Sequence, residues 1–194
     1  MTEYRLQEIP SDGISTLNDR TLRLPEWRRR KALSFLHPID RLQSVMAYEM
    51  LADILADLYG IDLAEHELVY DSPGKPSLAG IDGIYFSLSH CRDAVLIAVS
   101  DSPVGCDVES IHGTDVYQEI VDFCYFPGEK RRIRQSDNPA LTFIEIWTLK
   151  EAMFKLDNST PIESIDTSSP VGYKITKLVT SRCVATVVSS CTSH

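Results

Sequence analysis

No stretch of the 194 residues contains the ~18–20 consecutive apolar side chains that span a bilayer. The N-terminus, MTEYRLQEIP, lacks a basic segment followed by an apolar one, so a secretory signal is not expected. Basic residues are in deficit: 19 Lys and Arg face 28 Asp and Glu, for a net charge of −9. Phosphate neutralisation needs a basic face, so a chain-wide role on nucleic acid is not expected. The five cysteines (Cys91, Cys106, Cys124, Cys183, Cys191) are odd in number and form no C-x-x-C pair. Zinc ribbons and disulfide frameworks are therefore disfavoured, and buried free thiols in a reducing cytoplasm are the expectation. There is no repeat and no low-complexity tract. What remains is the composition of a folded chain, 43% hydrophobic and 24% charged, long enough for one large domain or two halves of about 100 residues.

Local patterns place the elements. Tyr4–Ile9 reads as a short strand. Pro25 and Glu26 suit the first turn of a helix running to about Leu36, which carries Arg28, Arg29, Arg30 and Lys31. Ile39, Leu42, Val45, Met46, Met50, Leu51, Ile54, Leu55 and Leu58 recur at three- and four-residue steps, the apolar stripe of a helix that Gly60 stops. Leu68–Tyr70 reads as a strand, Asp71–Pro76 as a turn cluster, and Ile84–Leu88, Ala94–Val99 and Val104–Val108 as further strands. Thr114–Tyr125 is predicted to be helical and to break at Phe126-Pro127-Gly128. Asn138 and Pro139 open a helix to about Leu156, and Gly172–Leu178 and Cys183–Val188 return to strand alternation. Helices then strands, twice over, indicate an α+β fold with a joint at Asp101-Ser102-Pro103.

Three segments carry chemistry. In Val104-Gly105-Cys106-Asp107-Val108-Glu109, strand alternation points Asp107 and Glu109 to one face. Two carboxylates held so repel unless a cation lies between them, and hard oxygen donors of this kind suit Mg²⁺. The alternative is a solvated edge strand with two surface acids. In Trp147-Thr148-Leu149-Lys150-Glu151-Ala152-Met153-Phe154-Lys155, Glu151 and Lys155 share a helix face, and Lys150 lies one step around the cylinder. Such a pair could be a surface contact worth a few tenths of a kcal/mol. The apolar neighbours Phe143, Ile144, Trp147 and Phe154 argue that the charges border buried surface, where a carboxylate and two ammonium groups suit a metal–diphosphate. In Gly74-Lys75-Pro76 and Phe86-Ser87-Leu88-Ser89-His90, Lys75 on a turn and Ser89 and His90 at a strand end offer phosphate donors. Neither serine lies in a G-x-S-x-G elbow, so triad chemistry is a poor fit.

These segments, in this order, resemble the Sfp-type 4′-phosphopantetheinyl transferases. The family couples a G-x-D-x-E strand to a W-[ST]-x-K-E-[AS]-x-x-K helix, and here Glu109 and Glu151 stand 42 positions apart. The resemblance covers Gly74 to Lys155. It implies two similar α+β halves about a pseudo-two-fold axis, residues 1–103 and 104–194, with coenzyme A between them. It implies transfer of 4′-phosphopantetheine from coenzyme A to a serine of an apo acyl or peptidyl carrier protein, releasing adenosine 3′,5′-bisphosphate. Mg²⁺ is implied at Asp107, Glu109 and Glu151, with Glu151 also the candidate base and Lys150 and Lys155 on the pyrophosphate. Lys75, Pro76, Ser89 and His90 match positions around the adenosine and its 3′-phosphate, and Lys31 and Arg41 match further basic positions. Glu129 matches another acid of the family with no role assigned. Thr114–Phe123 would offer the carrier protein an apolar face through Val116, Tyr117, Ile120, Val121 and Phe123, or else pack on its own core. A cytoplasmic monomer, with no membrane or nucleic-acid partner, is expected. The competing readings are a Mg²⁺-dependent phosphodiesterase and a non-catalytic coenzyme A or carrier-protein binding module.

Overall fold

The computed structural model describes residues 1–71, 74–113 and 115–191. Its order is β1 (Thr2–Glu8), α1 (Gly13–Arg23), α2 (Glu26–Leu33), α3 (Pro38–Tyr59), β2 (Leu68–Tyr70), β3 (Pro76–Leu78), β4 (Tyr85–His90) and β5 (Ala94–Ser100). Then follow β6 (Val104–Ser110), α4 (Gln118–Cys124), α5 (Pro127–Gln135), α6 (Pro139–Asp157), β7 (Tyr173–Val179) and β8 (Cys183–Ser190). The fold is α+β. One antiparallel sheet has the order β1-β5-β4 and another the order β6-β8-β7, so in each the first strand is followed in space by the last and then the middle one. β2 and β3 form a separate two-stranded ribbon.

Strand alternation builds the layers. Val95, Ile97 and Val99 face α3 in one core, whereas Ala94, Leu96 and Ala98 face the other sheet. In the second sheet Val104, Cys106, Val108, Cys183, Ala185 and Val187 meet them. Small side chains on both faces let the sheets approach closely. Cys91, Cys106, Cys124 and Cys183 are buried free thiols, and Cys191 is exposed. The opposite face of β6 and β8 receives α6, through Val184 with Ile144 and Ile146, and Val188 with Leu149 and Ala152. Helices thus cover both outer faces of two stacked sheets.

The clearest sequence signals correspond to α3, closed by Gly60 at φ 65°, and to α6, where the Asn138 side chain accepts from the Leu141 amide at 3.1 Å. Four elements depart from the sequence reading. α1 carries weak end signals, with no acid in its first turn and no side-chain cap. α5 begins where a break is expected: Pro127 stands at the first helical position, and Glu129 reaches back to accept from the Phe126 amide at 2.7 Å. β3 lies at the end of the expected turn cluster. α4 starts at Gln118, later than predicted; Thr114, and Ser72 and Pro73 of the turn cluster, lie outside the described residues. Among the described residues, no helix is long and apolar enough to cross a membrane.

Candidate active site between the two sheets

Gly105 sets the distance between strand and helix. A Cβ there would stand 2.0 Å from the Ala152 carbonyl oxygen and 2.5 Å from the Leu156 amide nitrogen. Only glycine lets α6 lie directly on the backbone of β6. Thr148 and Thr186 then share a buried hydroxyl contact of 2.9 Å, and Thr186 is the cross-strand partner of Asp107. This registry carries Glu151 and Lys155 over Asp107 and Glu109. The edge of β6 is held from β4: the Cys106 amide donates to Ser87 Oγ at 3.0 Å and the Val108 amide to Ser89 Oγ at 3.3 Å.

Asp107 is buried, and its Oδ1 accepts from Lys155 Nζ at 2.6 Å and from Ser89 Oγ at 2.8 Å. Its Oδ2 is buried with no hydrogen-bond partner among the described residues. Burial would lower the Lys155 ammonium, but the attraction and hydrogen bond of Asp107 outweigh it and hold it above its ordinary value. Burial and then Asp107 push the Glu109 carboxyl up to about 7, against a hydrogen bond from the Trp147 side chain. Burial also raises Glu151, with Lys155 opposing and Asp107 adding to the shift. The three carboxylates therefore act on one another around Lys155.

A buried carboxylate oxygen with no hydrogen-bond partner among the described residues, beside a second carboxylate, fits one side of a Mg²⁺ site. That ion takes one or two protein carboxylates and completes its shell with water and phosphate oxygens. Among the described residues, no three His, Cys, Asp or Glu groups close into a metal shell. Asp107 and Glu109 form the strand half of the expected three-carboxylate set, and Glu151 acts on it electrostatically from α6.

Two cavities adjoin this cluster and share Leu88. One, of about 280 Å³, is lined by Gly74, Lys75, Pro76, Phe86, Lys155 and Asn158 among others. The second, of about 210 Å³, is lined by Arg28, Lys31, Phe35, Tyr48, Tyr70 and His90 among others. Partial desolvation in that cavity, and then the Lys155 ammonium, hold His90 below its ordinary imidazole value. Arg28 is anchored by Ser44, its Nη2 donating to the carbonyl at 2.7 Å and to Oγ at 2.8 Å, while its Nε is buried without a partner. Arg28 was absent from the expected site residues. Its place in a run of four cations hid that it alone among them is buried, one helical turn from buried Ala32.

Several of the expected site residues are engaged by the protein itself. Lys150 does not face the carboxylates. It is fully buried, pairs with Glu129 Oε2 at 3.0 Å, donates to the Ile165 carbonyl, and stands 5.5 and 5.1 Å from the Tyr125 and Phe126 ring centres. Glu129 also accepts from the Thr167 amide and hydroxyl at 2.8 and 2.6 Å, so neither group has capacity left for a ligand. The Ser89 hydroxyl is equally occupied: it donates to Asp107 and accepts from Val108 and Lys155, so it orients the carboxylate rather than a nucleoside. Lys75 Nζ donates to the Leu156 carbonyl at the end of α6 at 2.8 Å, and burial lowers it, although it still borders the first cavity. Arg41 lines neither cavity; its Nη2 donates to the Phe35 carbonyl at 3.3 Å.

A model of the 4′-phosphopantetheinyl transferase superfamily matches residues 103–169, the stretch that carries β6 and α6. The similarity to that superfamily covers about a third of the chain. A 4′-phosphopantetheinyl transferase named psf-1 from Bacillus pumilus is 28% identical over 131 residues, 66% of this chain and 55% of the relative. AcpT of Salmonella typhi, also a 4′-phosphopantetheinyl transferase, is 29% identical over 116 residues, 57% of this chain and 60% of its own. HetI of Nostoc sp., of the same name, is 28% identical over 173 residues, 84% of this chain and 73% of the relative. The chain thus spans little more than half the length of the first two relatives.

Proposed function

We propose that this chain transfers the 4′-phosphopantetheine arm of coenzyme A to a serine hydroxyl of an apo acyl or peptidyl carrier protein, with Mg²⁺ held by Asp107 and Glu109. The observation that carries this reading is Asp107, one oxygen on Lys155 and the other unpartnered, where two cation-lined cavities adjoin. The family match and the relatives' names support the same reading.

The roles follow from charge. Arg28, Lys31 and His90 suit the adenosine phosphates of coenzyme A in the second cavity. Lys155 suits its diphosphate at the border of the first, which Lys75 and Pro76 frame. Bound Mg²⁺ would offset negative charge on that diphosphate. Glu151, raised by burial, suits the general base. The serine oxygen forms a bond to the β-phosphorus, its proton passes to Glu151, and the bond to the bridging oxygen breaks. Adenosine 3′,5′-bisphosphate leaves with that electron pair, while Lys155 stabilises the charge that develops. The repeated strand order supports a pseudo-two-fold relation between residues 1–103 and 104–194, and the family match begins at the joint. A cytoplasmic monomer agrees with this reading.

The test is to incubate the protein with coenzyme A, Mg²⁺ and several apo carrier proteins and to read intact masses. The expected result is one phosphopantetheine added to a carrier, lost on chelation. Coenzyme A bound with no carrier gaining mass would replace transfer by a binding module. Coenzyme A cleaved without a carrier would replace it by a phosphodiesterase.

A further inference from the structure

Two hairpin turns, one from each sheet, are tied together by the side chain of Arg182. Arg182 lies between β7 and β8, and its Nη2 donates at 2.8 Å to Asp93 Oδ1, between β4 and β5. Its Nη1 donates at 3.4 Å to Glu8 Oε2 and to the Ile9 carbonyl, at the end of β1. The Ile9 amide in turn donates to the Asp93 carbonyl at 2.8 Å. The backbone of Arg182 is tied as well: its carbonyl accepts from the Ile111 amide at 2.8 Å, and its amide donates to Thr180 Oγ1 at 3.0 Å. Position in the chain gives this clasp its meaning. Asp93 stands three residues past His90, which lines the second cavity, and Ile111 stands two past Glu109. From the other side, buried Gln43 on α3 donates to the Cys91 carbonyl at 2.7 Å. The segment after His90 is thus held from the helix layer and from the second sheet at once. Asp93 is buried, whereas the Arg182 side chain keeps 37% of its surface exposed. Ion pairs this open contribute little to stability. What this one fixes is the spacing of two strand ends.

We propose that Arg182 is a positioning residue: it sets the separation between His90 on one sheet and Glu109 on the other, and so the span over which a phosphate group and a divalent ion bind together. Arg182 lines neither cavity, so it acts through the strands it joins. The inference rests on the transferase reading for the two ligands, coenzyme A and Mg²⁺, and it adds a residue outside the cleft that couples them. Groups fixed in advance lose less freedom on binding, so two ligands held across such groups strengthen one another. Ser89 ties β4 to Asp107, near the middle of β6. Arg182 acts beyond the strand ends, where His90 and Glu109 lie.

Binding tests this apart from transfer. Coenzyme A is titrated calorimetrically into the full chain with and without Mg²⁺, and the ratio of the two affinities is read. In the parent, Mg²⁺ is expected to strengthen coenzyme A binding. In Arg182→Ala that gain is expected to shrink at least fivefold, while binding without Mg²⁺ stays within about twofold. By reciprocity, the gain in Mg²⁺ affinity from coenzyme A shrinks by the same factor. Arg182→Lys, which can keep an ion pair to Asp93, is expected to return the gain to within about twofold of the parent. Arg5→Ala, which breaks an exposed ion pair of 2.6 Å between β1 and Asp57 of α3, is the control and should leave the gain unchanged. An unchanged gain in Arg182→Ala, an equal loss in Arg5→Ala, or no recovery in Arg182→Lys would overturn the proposal and leave the transferase reading standing. A parent whose coenzyme A affinity ignores Mg²⁺ would instead remove the metal-dependent reading, and the coupling role with it.

Discussion

Two lysines five residues apart on one helix face two carboxylates, and the two pairs are built to opposite ends. Lys150 and Glu129 are closed: both are fully buried, and the carboxylate is further bound by Phe126 and Thr167 while the ammonium meets a carbonyl and two rings. Lys155 and Asp107 are open: the lysine is partly exposed beside a cavity, and one carboxylate oxygen has no partner. A closed pair fixes α5 and the segment before β7 against α6. An open pair keeps binding capacity for something else. The contrast teaches that charge on this helix is structural on one side and available on the other, with Glu151 between.

The largest expected effect is on the closed pair. Glu129→Ala would leave a buried ammonium without its counter-ion and should cost about 3–5 kcal/mol in urea unfolding. Asp107→Asn, at the open pair, should change stability by less than about 1.5 kcal/mol because Lys155 can turn to solvent. Similar losses from both would erase the distinction. Next comes Gly105→Ala, whose methyl would meet the α6 backbone; a loss of about 1–3 kcal/mol or more in thermal or urea melts is expected, and an unchanged melt would refute the close approach.

A smaller effect follows from Glu109. Its carboxyl, pushed up to about 7 in the folded chain against an ordinary 4.5, keeps a proton there that the unfolded chain has already lost. The native state thus binds more protons between those values, and the contribution to stability falls as pH rises through that window. The upper bound is about 3 kcal/mol, and about half of that after solvent screening. Without divalent cation, unfolding free energy should decline from pH 5 to pH 8, and Glu109→Gln should flatten the slope. A variant with the parent's slope would assign the titration elsewhere.

Much of this was legible in the residues themselves. α3 and α6 announce themselves by periodicity and caps, and alternation in Val104–Glu109 places Asp107 and Glu109 together. What a sequence does not carry is which neighbour each face meets. Lys150 and Glu151 differ by one position and so by about 100° around the helix, and only packing of α5 decides that Lys150 turns to Glu129. The serine at position 89 looks like a ligand donor until the edge of β6 and Asp107 occupy its hydroxyl. Pro127-Gly128 reads as a break although proline at a first helical position is equally a start.

Calorimetric titration of Mg²⁺ into the protein with coenzyme A tests most directly whether the free oxygen of Asp107, together with Glu109, holds a divalent ion. The prediction is that Glu109→Gln and Asp107→Asn each weaken Mg²⁺ binding at least tenfold, whereas the charge-free double variant Glu129→Gln/Lys150→Met stays within threefold of the parent. Equal weakening in all three, or Mg²⁺ binding untouched by the Asp107 and Glu109 changes, would contradict it.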